Sequence, residues 1–282
     1  METCPNVIVV VSFLGAVVGA GLLWIAIGPG LSNERFLRTN YRNASLSGIG
    51  GVPVVIVGAL GSMAILMSVS VETLDAAVGF AGFQLAVGFG VLGFLDDVGG
   101  QAGGGGFTGH IAALRKRKVT TGLVKLVGGV MWSLLAAALV TDGDVVAVLR
   151  NAVLLAAGAN LANLFDRGPG RSVKVAAIAG IALLGTVGFD PTMAPAALAI
   201  GAAVGLLWFE MREQMMLGDT GVNVIGAMVA LSAVVSLGST PLWVVTIVVV
   251  ALNLLSEVVS FSYVIAVTPP LKWFDSLGRM KS

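Results

Sequence analysis

The chain has 282 residues, of which 57% are hydrophobic and 11% are charged, and its mean hydropathy is +0.98. This composition is too apolar for a soluble domain and indicates that most of the chain lies in a lipid bilayer. The single cysteine, Cys4, excludes an internal disulfide framework and a cysteine-based zinc site, and the net charge of +1 does not suggest a nucleic-acid partner.

Apolar runs recur along the chain, and each is close to the roughly 20 residues that a helix needs to cross the hydrocarbon core. We predict an all-α, polytopic membrane protein in which residues 1–282 form one transmembrane domain of nine to ten spans. Nine spans can be placed, at 6–27, 49–71, 75–95, 120–140, 145–164, 173–189, 192–209, 222–238 and 241–261. The first run has no preceding basic residue, so we expect it to be retained and not cleaved.

The basic residues are distributed asymmetrically between the connecting segments. With the N-terminus outside, the inner segments contain all but two of the 16 basic residues: Arg35, Arg38, Arg42, Arg115, Lys116, Arg117, Lys118, Arg167, Arg171, Lys174, Arg212, Lys272, Arg279 and Lys281. The outer turns are short and acidic. The positive-inside rule therefore predicts a multi-pass protein of the cell (inner) membrane, with its C-terminus and its polar loops in the cytoplasm.

Ionisable groups near the bilayer are costly, and those outside obvious turns are candidate functional residues. The third span ends in GFLDDVGG, which places Asp96 and Asp97 at the inner surface, before a glycine-rich loop, QAGGGGFTGH. Two adjacent carboxylates repel each other unless a cation or a proton lies between them. This pair is therefore a candidate site.

The fifth span ends in ANLANLFDRGPGRSVK. Its polar side chains Asn160, Asn163 and Asp166 recur at i, i+3 and i+6 and line one slowly drifting face of an otherwise apolar helix. Mg²⁺ prefers oxygen ligands and takes one or two carboxylates, with water and substrate phosphate completing its shell. Three cations follow in the next turn: Arg167, Arg171 and Lys174.

Two further polar clusters lie in the eighth and ninth spans. The eighth begins with MMLGDTGVN, so Asp219 lies at the inner end of a helix, where backbone amides favour anions. The ninth carries a polar stripe, which must face protein or water and not lipid, at Asn253, Ser256, Glu257 and Ser260. An amphipathic tail, PPLKWFDSLGRMKS, follows it.

Each cluster also has a structural interpretation. The aspartates can be helix caps, the Asn stripe can join helices, the basic run at 115–118 can be an orientation signal, and His110 can be solvated. These interpretations do not explain why every carboxylate and amide cluster falls on the same membrane face. We therefore expect a phosphate site with Mg²⁺, or alternatively Mn²⁺, at the cytoplasmic face.

The motifs GFLDDVGG, TTGLVKL, NLANLFD and MLGDTG, in this order, resemble those of the polyprenyl-phosphate N-acetylhexosamine-1-phosphate transferases. This family includes the phospho-MurNAc-pentapeptide translocases and the enzymes that load GlcNAc-1-phosphate onto undecaprenyl or dolichyl phosphate. The likeness covers most of the chain. NYRNASLSGIGG also resembles the family's first inner loop, which adds Asn40 and Arg42 to the candidate substrate-binding residues.

The resemblance implies a role for each matching residue. Asp96 and Asp97 would act at the reacting phosphates, Asn163 and Asp219 would bind the metal, and Lys125 would contact phosphate. Asn160, Asp166 and Glu257 would lie on the substrate side, Glu257 through an acidic-x-x-Ser pattern of the peptidoglycan branch. The implied partners are a polyprenyl phosphate lipid and a nucleotide sugar.

The sequence departs from the family pattern on the donor side. DRGPGRSVK replaces the usual Asp-Gly-Leu-Asp-Gly continuation, and the histidine-rich motif of the last inner loop is missing. Arg167, Arg171 and Lys174 would then hold the donor pyrophosphate or sugar, because arginine binds phosphate oxygens bidentately. These departures argue against the peptidoglycan translocase itself.

We therefore expect an enzyme that transfers a sugar-1-phosphate from a nucleotide sugar, such as a UDP-N-acetylhexosamine, to a polyprenyl phosphate and so starts a lipid-linked glycan. One alternative is a non-catalytic lipid-binding or scaffold relative. Another is a cation or proton transporter, which the apolar outer halves of the spans disfavour. Glycine-rich spans such as 75–95 suit either internal packing or a homodimer.

Overall fold

A computed structural model describes residues 5–67, 76–99 and 121–280. Several sequence features lie outside the described residues: Cys4, the turn with Glu72 and Asp75, the loop QAGGGGFTGH with His110, the basic run 115–118 and Lys281. In the described part the helices are α1 (Pro5–Leu31), α2 (Val52–Met67), α3 (Ala76–Gly99), α4 (Thr121–Leu139), α5 (Val145–Phe165), α6 (Arg171–Val187), α7 (Ala194–Met211), α8 (Gly218–Ser236), α9 (Ser239–Ser256), α10 (Phe261–Val267) and α11 (Pro269–Ser276).

The prediction of an all-α membrane protein is confirmed at this level. Seven helices in the described residues are long and apolar enough to cross a membrane: α1, α3, α4, α5, α7, α8 and α9. Each of the nine predicted spans overlaps a helix, but α2 and α6 are shorter, with 16 and 17 residues. The ninth helix ends at Ser256 and not near 261, because Ser260 caps a separate short helix, α10.

Helix α8 lies at the centre of the bundle and packs against α2, α3, α5, α6 and α7. Its apolar side chains Ile225, Met228 and Leu231 are fully buried. Outside this centre, α1 packs along α7, and α4 lies between α3 and α5. Large apolar side chains on α1, α4 and α9 remain exposed, as expected for surfaces that face lipid.

A small antiparallel hairpin, which the sequence analysis did not predict, lies at one end of the bundle. Its strands are β1 (Leu37–Thr39) and β2 (Ser45–Ser47). Backbone hydrogen bonds then join the segment after β2 to the turn before α8: Met216 N–H donates to Ser47 at 2.8 Å, and Gly50 N–H donates to the Met216 carbonyl at 2.9 Å. The hairpin therefore fixes where α8 begins.

Candidate functional site

Four helix ends converge at this end of the bundle: the C-termini of α3 and α5, and the first turns of α4 and α8. The ammonium of Lys125 forms a close ion pair with Asp219 and lies 3.8 Å from Asp96. The amide nitrogen of Asn163 donates to the same Asp219 oxygen at 3.2 Å. Four residues that the sequence analysis singled out are thus brought together.

Close helix packing positions Asp219. A Cβ on Gly93 of α3 would meet the backbone carbonyl of Asp219, so only glycine fits at this crossing. Gly218, the first residue of α8, has φ +64°, a left-handed conformation that glycine adopts without strain. A bulkier residue at either position would move the Asp219 carboxylate.

Asp97 caps helix α8 from the neighbouring helix. One carboxylate oxygen accepts the Asp219 N–H at 3.0 Å, and the other accepts the Thr220 N–H at 2.8 Å and its hydroxyl at 2.6 Å. A carboxylate that accepts the first N–H groups of a helix is favoured by the helix dipole. Asp97 therefore holds α8 in place, while Asp96 faces Lys125 and Asp219.

The side chains of this cluster are of the type that binds a magnesium ion. Within the described ranges, no group of three or more His, Cys, Asp or Glu side chains could hold a metal ion. Asp219, Asp96 and Asn163 nevertheless offer oxygen donors, and Mg²⁺ uses few protein ligands when a phosphate is bound. In this arrangement the ammonium of Lys125 contacts Asp219 and lies 3.8 Å from Asp96, so a cation bound by both carboxylates would have to displace it.

A polar cavity of about 320 Å³ adjoins this cluster. It lies between the hairpin, the α5–α6 turn and the α7–α8 turn, and Asp166, Arg167 and Glu210 are among the side chains that line it. Burial, and secondarily the charge of Asp219, raises the pKa of Asp166 to about 7. Arg167 is exposed at the cavity, and its charge acts in the opposite sense and lowers the pKa of Asp166.

The hairpin turn is joined to this cavity through Glu213, a residue that the sequence analysis missed. Asn40 donates to Glu213 at 3.0 Å, Tyr41 does so at 3.3 Å, and Arg42 pairs with it at 3.2 Å. The sequence did contain a signal for Glu213, because an acidic residue stands in an inner loop. Only the basic residue of that loop, Arg212, was considered. Glu213 therefore orients the two candidate hairpin residues.

Two predicted residues lie away from the cluster. Asn160 donates to Asn253 at 2.7 Å and so joins α5 to α9, which is the structural role considered for the Asn stripe. Glu257 follows the last residue of α9, is exposed, and has no side-chain partner in the described part of the chain. The structure does not bring these two side chains to Asp219.

Arg171 and Lys174 contact the C-terminal segment. Arg171 forms a bidentate pair with Asp275, at 2.8 and 2.9 Å. Lys174 donates to the carbonyls of residues 274, 275 and 277. The sequence analysis did not foresee Asp275, since a single acid in an amphipathic tail looks like a solvated residue.

An apolar groove of about 370 Å³ runs between α5, α6, α8 and α9. Most of its lining is aliphatic, including Leu154 of α5, Leu183 of α6 and Val249 of α9. Ala162 and Ser172 also line it, and the Ser172 hydroxyl lies 3.4 Å from the Asp166 carboxylate. The groove therefore extends to Asp166, which lines the polar cavity.

No protein-family model and no curated protein matches this chain. The likeness to the polyprenyl-phosphate sugar-phosphate transferases therefore rests on the order of the motifs in the sequence. The geometry adds an independent observation, because residues of these motifs that are far apart in the chain, Asp96, Lys125, Asn163 and Asp219, contact one another.

Proposed function

We propose that the protein transfers a sugar-1-phosphate from a nucleotide sugar to a polyprenyl phosphate in a Mg²⁺-dependent reaction. The observation that carries this proposal is the cluster of Asp96, Lys125, Asn163 and Asp219 at one end of the bundle. An oxygen-rich cluster beside a lysine suits a metal–pyrophosphate substrate. The adjoining apolar groove suits the prenyl chain of the acceptor.

In the proposed reaction, an oxygen of the lipid phosphate attacks the sugar-bearing phosphorus of the donor. The bond from that phosphorus to the bridging oxygen breaks, and the nucleoside monophosphate leaves with the electron pair. A bound Mg²⁺ would neutralise charge on the leaving group. Asp219 and Asn163 would hold this ion, Lys125 would bind phosphate oxygens, and Asp96 would position the lipid phosphate or accept its proton.

The proposed topology has nine crossings, with the site in the cytoplasm. Arg38 of the hairpin donates to the Val98 carbonyl at 3.0 Å, so α1 and α3 end at the same face and α2 must return between them. Likewise, α6 leaves the face that contains Asp166, and α7 returns to it at Glu210, which lines the same cavity. The basic residues at this face support a cytoplasmic location.

A non-catalytic lipid-binding or scaffold protein is the second candidate function. Two observations favour it: Asp97 accepts hydrogen bonds from the backbone of α8, and Asp219 pairs with Lys125. Both carboxylates therefore already have partners that stabilise the fold. It predicts that polyprenyl phosphate raises the melting temperature although no nucleotide sugar reacts.

The test uses purified protein in detergent with undecaprenyl phosphate, Mg²⁺ and a panel of UDP- and CDP-sugars, and measures the released nucleoside monophosphate. We expect release with one donor and its loss in EDTA. Without turnover, thermal stabilisation by the lipid favours the scaffold. Absence of both effects overturns the phosphate site and directs the next assay to ion transport in liposomes.

The variant Asp219→Asn should abolish turnover while the protein still folds. Asp142→Asn removes the same charge from an exposed position in the turn between α4 and α5, and it should leave turnover unchanged. Retained turnover in Asp219→Asn would contradict the metal assignment. Equal loss in both variants would indicate a nonspecific charge effect.

A further inference from the structure

The C-terminal segment, residues 261–280, is attached to the bundle through the polar side of α11. Asp275, the buried residue of this helix, pairs with Arg171 and accepts from Arg279 at 2.7 Å. Arg171 also donates to Ser262 of α10 at 2.9 Å. Bidentate arginine–carboxylate pairs combine charge with fixed geometry, so Asp275 pins α11 to the start of α6.

The remaining surface of α11 is divided between apolar and polar side chains. With 3.6 residues per turn, Leu271, Trp273 and Phe274 occupy one arc, and Lys272 and Ser276 lie between this arc and Asp275. Leu271 and Trp273 are 45% and 65% exposed. Trp273 projects away from Asp275, whereas the Phe274 ring lies 5.7 Å from the Lys174 ammonium of α6. Leu271 and Trp273 remain largely uncovered by other elements in the described part of the chain.

Exposed apolar side chains also precede this arc along the chain. Along α9 and just after it, Ile247, Leu254 and Val258 are 63%, 67% and 81% exposed, and Tyr263 of α10 extends the same exposed run towards α11. Helices with an apolar arc and a charged arc lie in the plane of a bilayer interface, where tryptophan is enriched. A lipid surface therefore matches the position and the chemistry of the arc.

The end of the segment reaches the polar cavity. Arg279 donates to the Pro169 carbonyl at 3.0 Å, and Pro169 lines the cavity. Arg42, which pairs with Glu213 of the cavity wall, donates to the Met280 carbonyl at 3.3 Å. The segment thus joins the α5–α6 turn to the hairpin across one side of the cavity.

We propose that the C-terminal segment is a membrane-surface strap: the apolar arc of α11 lies in the lipid interface, and Asp275 holds the strap against the rim of the polar cavity. This assignment is independent of the proposed transferase reaction. It concerns where the segment lies and what holds it there, and it would apply equally to a lipid-binding protein.

The first experiment places nitroxide spin labels on α11 in lipid nanodiscs, after Cys4→Ser removes the only native cysteine. Labels at Leu271→Cys and Trp273→Cys test the apolar arc, and labels at Lys272→Cys and Ser276→Cys are the matched controls. We expect the first pair to be relaxed more by oxygen, which partitions into lipid, and the second pair more by a water-soluble nickel chelate.

Two outcomes would overturn the lipid assignment. Equal access of nickel to all four labels would show that the arc faces water. Immobile labels at 271 and 273 that neither reagent reaches would show that a protein partner or a second copy covers the arc. Because no substrate is used, these outcomes are distinct from a failure of the transferase proposal.

The second experiment tests the role of Asp275 with the label at Ser276→Cys. Asp275→Asn removes the charge that pairs with Arg171 and Arg279, so the label should become more mobile and the lines of its electron paramagnetic resonance spectrum should narrow. Asp190→Asn, at an exposed position, should leave the spectrum unchanged. Unchanged mobility in Asp275→Asn would overturn the pinning role. Size-exclusion elution at the wild-type volume confirms that each variant folds.

Discussion

At the scale of single residues, Lys125 has the clearest testable role. Its ammonium neutralises Asp96 and Asp219, so Lys125→Met leaves two carboxylates facing each other at a partly buried position. We expect this variant to lose about 2 kcal/mol of stability in EDTA, the typical contribution of a hydrogen bond to a charged group. Mg²⁺ should restore more stability to it than to the wild type, as measured by melting temperature.

Lys272→Met is the control for this prediction, since Lys272 is exposed and has no ion pair among the described residues. It should change neither the melting temperature nor its response to Mg²⁺. A loss in Lys125→Met that Mg²⁺ does not reduce would mean that no cation can replace the ammonium. The metal assignment would then fail, although the ion pair would remain.

Asp166 makes stability depend on pH in a direction opposite to that of an ordinary paired carboxylate. Its folded-state pKa is raised to about 7, mainly by burial, from 3.8. Between pH 4 and 7 the folded state keeps a proton that the unfolded state has lost, so stability falls as pH rises through this window. Asp166→Asn should therefore gain stability relative to wild type between pH 5 and pH 8, measured by unfolding in EDTA.

Asp142→Asn, which removes an exposed acid, is the control for a nonspecific effect of losing one charge. A stability difference between Asp166→Asn and wild type that does not change with pH would contradict the raised pKa. Asp275 behaves in the opposite sense: burial alone would raise its pKa, but the Arg171 hydrogen bonds and the surrounding cations lower it. Its contribution to stability is present at neutral pH and is lost only as pH falls below about 3.8.

At the scale of elements, the crossing of α3 and α8 determines the geometry of the site. Gly93→Ala would place a Cβ against the Asp219 carbonyl, so the helices must separate. We expect a loss of about 1–3 kcal/mol, as for other overpacked contacts, and a loss of transferase activity. At Gly185 on α6, no atom outside the local helix backbone lies within 4 Å of a new Cβ, so Gly185→Ala should retain both stability and activity. Equal stability of the two variants in denaturant titrations would contradict the tight crossing.

The sequence was sufficient to predict helices but not every helix end. Apolar length located nine helices, because a span must satisfy its backbone hydrogen bonds internally and therefore produces one long pattern. The hairpin was missed since strands of three residues, Leu37–Thr39 and Ser45–Ser47, show no period. The break at Ser256 was missed because hydropathy does not register a hydroxyl that caps the next helix.

At the scale of the whole molecule, the polar site was predictable in its location and only partly in its pairings. Counting carboxylates and amides on one membrane face brought together Asp96, Asn163 and Asp219. The capping role of Asp97 depends on an interhelical angle that no local pattern encodes. The pairing of Arg171 with Asp275 joins residues 104 positions apart, and a single sequence carries no signal for such contacts.

The orientation of the molecule can be tested with the native cysteine. Cys4 is the only cysteine, and the positive-inside rule, applied to the basic residues after the first span, predicts that it lies outside the cell. We expect a membrane-impermeant maleimide to label Cys4 on intact cells. With Cys4→Ser, a cysteine at Asp142→Cys should also be labelled on intact cells, whereas Ser282→Cys should react only after permeabilisation.

The three positions together separate the topologies, because nine and seven crossings both place the two termini on opposite sides. Only the return of α2 between α1 and α3 places the α4–α5 turn with Asp142 on the same side as Cys4. Labelling of Asp142→Cys only after permeabilisation would mean that α2 does not cross. Since Arg38 and Val98 could not then meet at one face, this result would contradict the arrangement of helices that forms the site.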